Sequence, residues 1–484
     1  SNKPLLASWM GTEAVRSGED RLNQSRIFTL PYPDAAAQIF TLMARHNENL
    51  RALYETPSLT ATAASETRTV HDMLAQAHRE NRRLLSEWES KQLLWAYGVP
   101  TVQTELATSA DAAVSLAEQI GYPIVLKLHS HTITHKTDVG GVKLNLLNSE
   151  AVRAAYESIA NIGQPGDFLG VTVQPMVVQT GYELIIGSHV DEQFGPVLLF
   201  GSGGQLVEVY RDRALGLPPL NTTLARRLME QTQIYKALQG VRGQTPVDLE
   251  ALEALLVKFS QLVVDYPEIK EIEINPLLAS SDRLLALDAR VVLHSAETVA
   301  SGLPKPAICP YPGQYVKPWV LQNDMKVVIR PIRPEDEPLI VDLHQTLSEE
   351  SVYFRYFHLI KLQSRVAHER LTRICFIDYD REMALVADHL DVETGKRSIL
   401  GVARLSRLHG INAAEFGMLI NDRYQGQGLG TKLLGSLLDI CRAEGIMRLS
   451  ATILSENRGM QHLCKKHGFT LQRDLDEIQV YKDF

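Results

Sequence analysis

The sequence is poor in cysteine. Its four, Cys309, Cys375, Cys441 and Cys464, are scattered over 484 residues without a Cys-x-x-Cys pair. The spacing supports neither a zinc site nor a disulfide framework, and reduced thiols in a cytoplasm are expected. A run of about eighteen apolar residues is also missing, so no membrane-spanning helix is expected, and no signal-peptide pattern is read at the start. Positive charge is not in excess either. The formal net charge is -8, whereas a surface that tracks a nucleic acid normally needs a basic surplus. What remains, 45% apolar and 22% charged residues, is the profile of an ordinary soluble globular protein. The chain is too long for one core, and about three domains are expected.

The most informative stretch is 414–434, AEFGMLINDRYQGQGLGTKLL. Phe416, Met418 and Ile420 alternate with Glu415, Gly417 and Leu419, so it opens as a strand; Leu429, Leu433 and Leu434 share one face of a helix that closes it. Between them Gly426, Gly428 and Gly430 lack a Cβ, so the N–H groups of residues 427–431 can point into one concavity at a helix N-terminus, where a phosphate is favoured. No Gly-Lys-Ser/Thr closes the loop, and no acidic ribose partner stands about twenty residues on, which argues against a P-loop and a dinucleotide site.

The spacing Gln425-x-x-Gly428-x-Gly430 after a strand resembles the acyl-CoA loop of the GNAT acetyltransferases. The segment 448–469, RLSATILSENRGMQHLCKKHGF, resembles that family's next strand and helix, with Asn457 near the helix start. The resemblance implies acetyl-CoA as co-substrate, bound by Gln425, Gly426, Gln427, Gly428, Leu429, Gly430, Thr431 and Asn457, with the thioester near Leu419. An amine nucleophile must arrive uncharged, yet a free lysine has a pKa of roughly 10.4, so a base or a desolvated channel is required. Glu415, at the start of the strand, can take that proton directly or through a water. An exposed strand carboxylate is the plainer reading; the lysine acetyltransferases joined to ATP-grasp modules, which carry their catalytic glutamate at this Glu-Phe-x-x-Leu position, favour the base. Cys464 lies inside a helix and is read as packing. Ser455, Tyr424 and Tyr481 stay open as the acid for the leaving thiolate.

Taken in order, residues 1–60 alternate strand (4–9), helix, strand (26–30) and helix (32–51), which implies a parallel pair with crossover helices. The segment PLLASWMG is read as a buried strand, entered in the middle of a domain. Residues 1–65 resemble the end of the flavodoxin-like CoA-ligase domain found upstream of ATP-grasp modules in nucleotide-forming acyl-CoA synthetases. A polar stretch, 57–69, follows as a linker. From about residue 70 to 300 comes the largest unit, opening with a helix that ends at Gly98 ahead of Pro100.

Lys127 at the end of an apolar strand, HKTDVGGV (135–142), VQPM (173–176) and EINPL (273–277) resemble the ATP-grasp module of those synthetases. Lys127 and Lys143 are cations suited to a triphosphate. Asn275 and Asp288, on successive strands, offer magnesium hard oxygen ligands, and Glu273 shares a strand face with Asn275. The resemblance implies ATP or ADP with Mg2+, contacts from Gln174, Met176 and Glu183, and His135 in the place of a phosphate-carrying histidine. His135 bonding only its own loop is the plainer alternative.

Residues 301–322 carry five prolines and two glycines and are read as an extended tether. The last domain, 323–484, opens with a strand (327–332), and Pro334 with the acidic triplet after it suits a helix N-terminus. In SEESVYFRYFH (348–358) the aromatics around Arg355 are read mainly as core packing at helical spacing, with an acceptor-side wall as the functional alternative. The fold class expected is therefore a multidomain α/β and α+β protein, an ATP-grasp domain followed by a GNAT domain.

Two readings of function follow from the resemblance. In one the chain is a protein lysine acetyltransferase acting on acyl-CoA synthetases, with a regulatory or structural ATP-grasp region. In the other it is a nucleotide-forming acyl-CoA synthetase subunit with a phosphohistidine relay and an accessory GNAT domain. A transferase for a small amine is a third. Resemblance across nearly the whole chain favours the first and implies a cytoplasmic homo-oligomer without nucleic-acid or membrane partners.

Overall fold

The structure is a computed structural model that describes residues 4–11, 13–56, 64–133, 136–162, 166, 168–177, 181–204, 212–241, 245–474 and 476–484. Its contacts divide the chain into two units: Pro57–Tyr311 with Asp378–Asp380, and Ser1–Thr56 with Pro312–Ile377 and Arg381–Phe484.

The first unit is built on two sheets. One is four-stranded and antiparallel, in the order Glu105–Ala107, Gly170–Pro175, Ile124–His129, Val142–Leu146. Helices Ala110–Ile120 and Ser149–Ala160 pack on it and bury Leu126, Leu128, Val152, Ile159 and Val171. The other centres on the long strand Ile269–Ala279, flanked by Tyr182–Asp191 on one side and by Leu284–Ala286 and Ala289–Leu293 on the other. Helix Leu249–Asp265 covers it through Leu252, Leu256 and Phe259, each 2% exposed or less. Burying such a side chain contributes roughly 1.5–3 kcal/mol.

One expectation fails here in a useful way. The segment ahead of Gly98 is two helices, Ala64–Arg79 and Glu87–Ala96, not one. The break falls where Asn81 takes a left-handed φ of 54°. Ser86 then starts the second helix with a capping box, its Oγ accepting from Glu89 N at 3.2 Å while Glu89 Oε2 accepts from Ser86 N at 2.7 Å. The Ser-x-x-Glu spacing was visible in the sequence and signals such a start. Gly98 follows the helix with a φ of +67°, and its N–H returns to Trp95 O at 2.8 Å.

The second unit carries an eight-stranded sheet in the order Lys317–Val320, Lys326–Pro331, Glu382–Leu390, Arg397–Arg407, Ala413–Ile420, Arg448–Leu454, Glu477–Asp483, Thr470–Asp474. Every neighbouring pair is antiparallel except Ala413–Ile420 with Arg448–Leu454. The stretch read as an extended tether is interrupted by the 3-10 turn Gly313–Tyr315, and its end is not a free linker, because it supplies the edge strand Lys317–Val320. Pro318 is tolerated there because an edge strand has one side free of the ladder. Arg330, buried at 5% exposure, bridges Asp336 and Asp388 and so ties the second strand to the turn entering helix Glu337–Gln345.

In residues 4–56, strands Leu6–Ser8 and Phe28–Leu30 pair in parallel, as expected, but the first is half-buried rather than buried. Helix Pro33–Leu53 ends close to Tyr54, whose hydroxyl donates to Glu337 Oε2 at 2.7 Å, and Thr56 N and Oγ1 both donate to Glu335 at 2.8 Å.

Candidate functional site

In the second unit the only parallel pair of the large sheet is short. Ala413, Ala414 and Glu415 pair with Arg448, Leu449 and Ser450, and there the ladder stops. Ala413–Ile420 continues beside Arg397–Arg407, and Arg448–Leu454 beside Glu477–Asp483, so the facing edges beyond Glu415 diverge and stay unpaired. An open edge of this kind can bond an extended, amide-bearing ligand. Glu415 stands at the fork, exposed.

A cavity of 660 Å³ occupies the fork. Leu419, Gln425, Gly426, Gly428, Gly430, Thr431 and Asn457 line it together with Ser351, Phe354 and Arg355. Helix Leu429–Ala443 starts from Gly428, whose φ of +85° suits glycine. Gly430 sits close under Ile420: a Cβ there would stand 3.2 Å from Ile420 Cδ1, a tight contact. Among the described residues, the N–H groups from Gly426 to Thr431 meet no acceptor. A row of free amides at a helix N-terminus suits an anion.

Several of the residues expected to bind here have structural partners of their own. Gln425 Nε2 donates to Ser351 Oγ and Ile420 O, both at 3.1 Å, and braces the turn. Asn457 Oδ1 accepts from Met460 N at 3.0 Å and caps helix Arg458–Lys466. Leu429, 1% exposed, anchors its helix in the core, and Gln427 Nε2 bonds Arg423 O at 2.9 Å. Helix Glu349–Tyr356 is stapled to the same turn by Asp422, which accepts from Ser348 N and Oγ and from Ser351 Oγ. Burial works against ionisation of Asp422, but the bonds from Ser351 and Ser348 outweigh it and hold the carboxyl below its usual range. The aromatics of this helix are expected mainly in the core, but Val352 alone of its residues is buried, and Phe354 and Arg355 face the cavity. Cys464 is fully buried, and burial pushes its thiol up to about 12, which agrees with packing.

In the first unit a cavity of 420 Å³ is lined by Ser86, Glu87, Lys127, Ser130, Lys136, Glu273, Asn275 and Asp288 among others. Its centre is Glu87, 4% exposed, which the sequence reading missed. Glu87 Oε1 accepts from Lys91, Lys127 and Gln174, each at 2.8 Å, and Oε2 from Lys136 at 2.7 Å. Burial alone would push the carboxyl up; Lys127, Lys91 and Lys136 overcome this and hold it well below the usual carboxylate range. Burial pulls Lys91 down to about 8.

Lys143 is placed differently from the expectation. Val142 pairs with Lys127, so Lys143, one residue on, projects to the opposite face beside Leu126, and Lys136 stands in the cavity instead. Gln174 is buried and reaches Glu87, Met176 N donates to Pro123 O at 2.8 Å, and Glu183 is exposed against Gly204; none of the three lines the cavity. His135 lies outside the described residues.

Glu273, Asn275 and Asp288 bring oxygens to one wall. Asn275 Nδ2 donates to Glu273 Oε1 at 3.2 Å, its Oδ1 accepts from Gly204 N at 3.1 Å, and Asp288 lies 3.6 Å from Lys127 Nζ. Burial, then the charge of Glu87, raises the Asp288 carboxyl. Among the described residues no three His, Cys, Asp or Glu side chains form a metal cluster. An open set of hard oxygens beside lysines fits magnesium, which keeps waters and shares phosphate oxygens, better than it fits a metal caged by protein.

Residues 76–293 match the ATP-grasp domain family and residues 326–470 the acetyltransferase (GNAT) domain family. The beta subunit of acetate–CoA ligase (ADP-forming) I of Pyrococcus furiosus is 39% identical over 226 residues, covering 46% of this chain and 97% of that protein. An acetyltransferase of Pseudomonas aeruginosa is 34% identical over 161 residues, 33% of this chain and 84% of its own. The chain belongs to both families. It combines the beta-subunit family of ADP-forming acetate–CoA ligases with the GNAT acetyltransferases. The 4-hydroxybutyrate–CoA ligase (ADP-forming) of Nitrosopumilus maritimus is 34% identical over 280 residues, of which the chain spans only 40% of the length. The ATP-grasp unit thus holds the lysine-lined cavity and the GNAT unit the forked sheet. Among the described residues, no helix is long and apolar enough to cross a membrane.

Proposed function

We propose that the chain is a protein lysine N-acetyltransferase that moves acetyl from acetyl-CoA to the ε-amine of lysines on acyl-CoA synthetases. The observation that carries this reading is the position of Glu415 at the last paired residue of the fork, with the open strand edge and the partnerless amides of residues 426–431 beyond it. The CoA pyrophosphate would meet those amides, and the pantetheine amides the strand edge, which leaves the thioester near Leu419. Glu415 then takes the ammonium proton, the neutral nitrogen attacks the carbonyl carbon and the C–N bond forms; as the C–S bond breaks, the nitrogen's second proton passes to the departing sulfur and CoA leaves as the thiol. Substitution Glu415→Gln is expected to keep acetyl-CoA affinity by calorimetry and to lower kcat by roughly 10²–10⁴-fold, measured as label passing from radiolabelled acetyl-CoA to a purified acyl-CoA synthetase. An undiminished rate would exclude Glu415 as base.

For the ATP-grasp unit we propose a site for ATP or ADP with Mg2+, in which Lys127 and Lys136 meet the phosphates and Asn275 and Asp288 hold the metal. Bound there, the nucleotide would supply a transferable phosphoryl group or an allosteric signal. Double substitution of Asn275 and Asp288 by Ala is expected to abolish magnesium-dependent nucleotide binding by calorimetry, and persistence of that binding would refute the assignment. The lysine-lined cavity favours a second reading, an acyl-CoA synthetase subunit with His135 as phosphate carrier. Formation of ATP and acetate from acetyl-CoA, ADP and phosphate, with no label transfer to protein, would establish it instead.

A further inference from the structure

Arg355 is a cation without a counter-ion. Its guanidinium lies against Gly417, where a Cβ would stand 2.7 Å from Nη2 and 2.8 Å from Cζ. Gly417 is two residues past Glu415 and two before Leu419, and the three share one face of the strand. Arg355 therefore sits between the base and the place of the thioester. Among the described residues it makes no ion pair and no hydrogen bond; its one polar contact is the face of Tyr356, 5.4 Å from the ring centroid. Arg370 covers the same ring at 4.8 Å. Of the carboxylates nearby, Asp422 is engaged by Ser348, Ser351 and Gln425, and Glu382 by Arg404, while Glu350, which lines the same cavity, and Glu415 form no ion pair with Arg355 among the described residues. Burial, together with Arg404 and Arg370, pushes the Arg355 guanidinium down.

A partly buried guanidinium with no partner is costly unless a ligand supplies the anion, and its planar fork matches a carboxylate. We propose that Arg355 is a carboxylate-binding residue at the reaction centre, which selects substrates carrying a carboxylate a few bonds from the reacting amine or acyl carbon. This rests on the acetyltransferase reading and deepens it. The carboxylate can come from an acidic residue beside the acceptor lysine or from the far end of a dicarboxylic acyl chain on CoA. The pyrophosphate is not its partner, because the amides that suit it lie in residues 426–431, past the end of the strand.

The test uses the full chain with two lysine peptides that differ only by Glu or Gln next to the lysine, each with acetyl-CoA and with succinyl-CoA, and CoA release as the readout. A ratio of kcat/KM of roughly tenfold or more in favour of the carboxylate partner is expected. A preference along the peptide pair assigns the acceptor as its source, and along the donor pair the acyl chain. In Arg355→Gln and Arg355→Leu that ratio should fall toward one, and Gly417→Ala, whose methyl collides with the guanidinium, should lower it independently. Wild-type ratios of one for both pairs, ratios that survive in the Arg355 variants, or loss of acetyl-CoA binding by calorimetry in place of the ratio, would each overturn the proposal. Transfer without charge preference sinks this inference alone; no transfer to any peptide, nor to a purified acyl-CoA synthetase, sinks the acetyltransferase reading with it.

Discussion

The two cavities offer an anion donors of opposite kinds. In the ATP-grasp unit the donors are side chains, three lysines gathered on Glu87, so the protein carries its own counter-ion. In the GNAT unit the donors left open are backbone amides at a helix N-terminus, and among the described residues the cations nearby, Arg355, Arg370 and Arg365 beside His344, have no carboxylate set among them in the same way. Lysines would repel one another in a dry cleft without Glu87, whereas amides carry no net charge and can wait unpaired at the edge of water. A side-chain site is thus tied to the stability of its unit, and a backbone site much less.

Substitution of Glu87 should break the comparison most severely. Glu87→Ala leaves Lys91 buried without its anion and Lys127 with Asp288 alone, and is expected to destabilise the ATP-grasp unit by about 3–5 kcal/mol in urea unfolding. A change under about 1 kcal/mol would show that water already screens the lysines. Next in size is an acid response of the GNAT unit. His344, 2% exposed, is pushed down to about 4 by burial and then by Arg365, Arg370 and Arg355. Its folded pKa lies below the ordinary 6.5, so between pH 6.5 and 4 the unfolded chain binds the extra proton and stability falls as pH falls. The full loss is about 3 kcal/mol, read as hydrogen exchange in helix Glu337–Gln345, and His344→Gln should flatten it; an unchanged slope would assign the response to other groups.

The smallest effect sharpens the contrast. Asn457→Ala removes a helix cap and should cost about 1 kcal/mol of stability, while acetyl-CoA affinity stays within about twofold, because the cradle is backbone. A tenfold loss of affinity would make the Asn457 amide a ligand after all.

Much of the GNAT cleft was legible in the sequence. Alternation up to Ile420, glycines at 426, 428 and 430, and a leucine face after them all lie within some twenty residues, so local rules were enough to place a strand, a turn and an anion-binding helix start. The ATP-grasp cavity was legible only in outline. Lys127 was found and Glu87 was not, because its neighbours in sequence read as an unbroken helix, although Ser86 and Glu89 announced a start. Lys143 was misplaced because the parity of a strand residue is settled by its register with the partner strand, and that register is not written in the strand itself.

By itself the sequence determined the local pieces: a glycine-rich turn at a helix start, a carboxylate on the strand before it, and a lysine ending an apolar strand. Tertiary structure alone decided which charges meet. Glu87 reaches Lys127 across 40 residues and Gln174 across 87, and Arg355 comes to rest on Gly417 from a separate helix. Short-range propensity fixes the conformation of a segment, but the partner of a buried charge is selected by packing and desolvation over the whole unit.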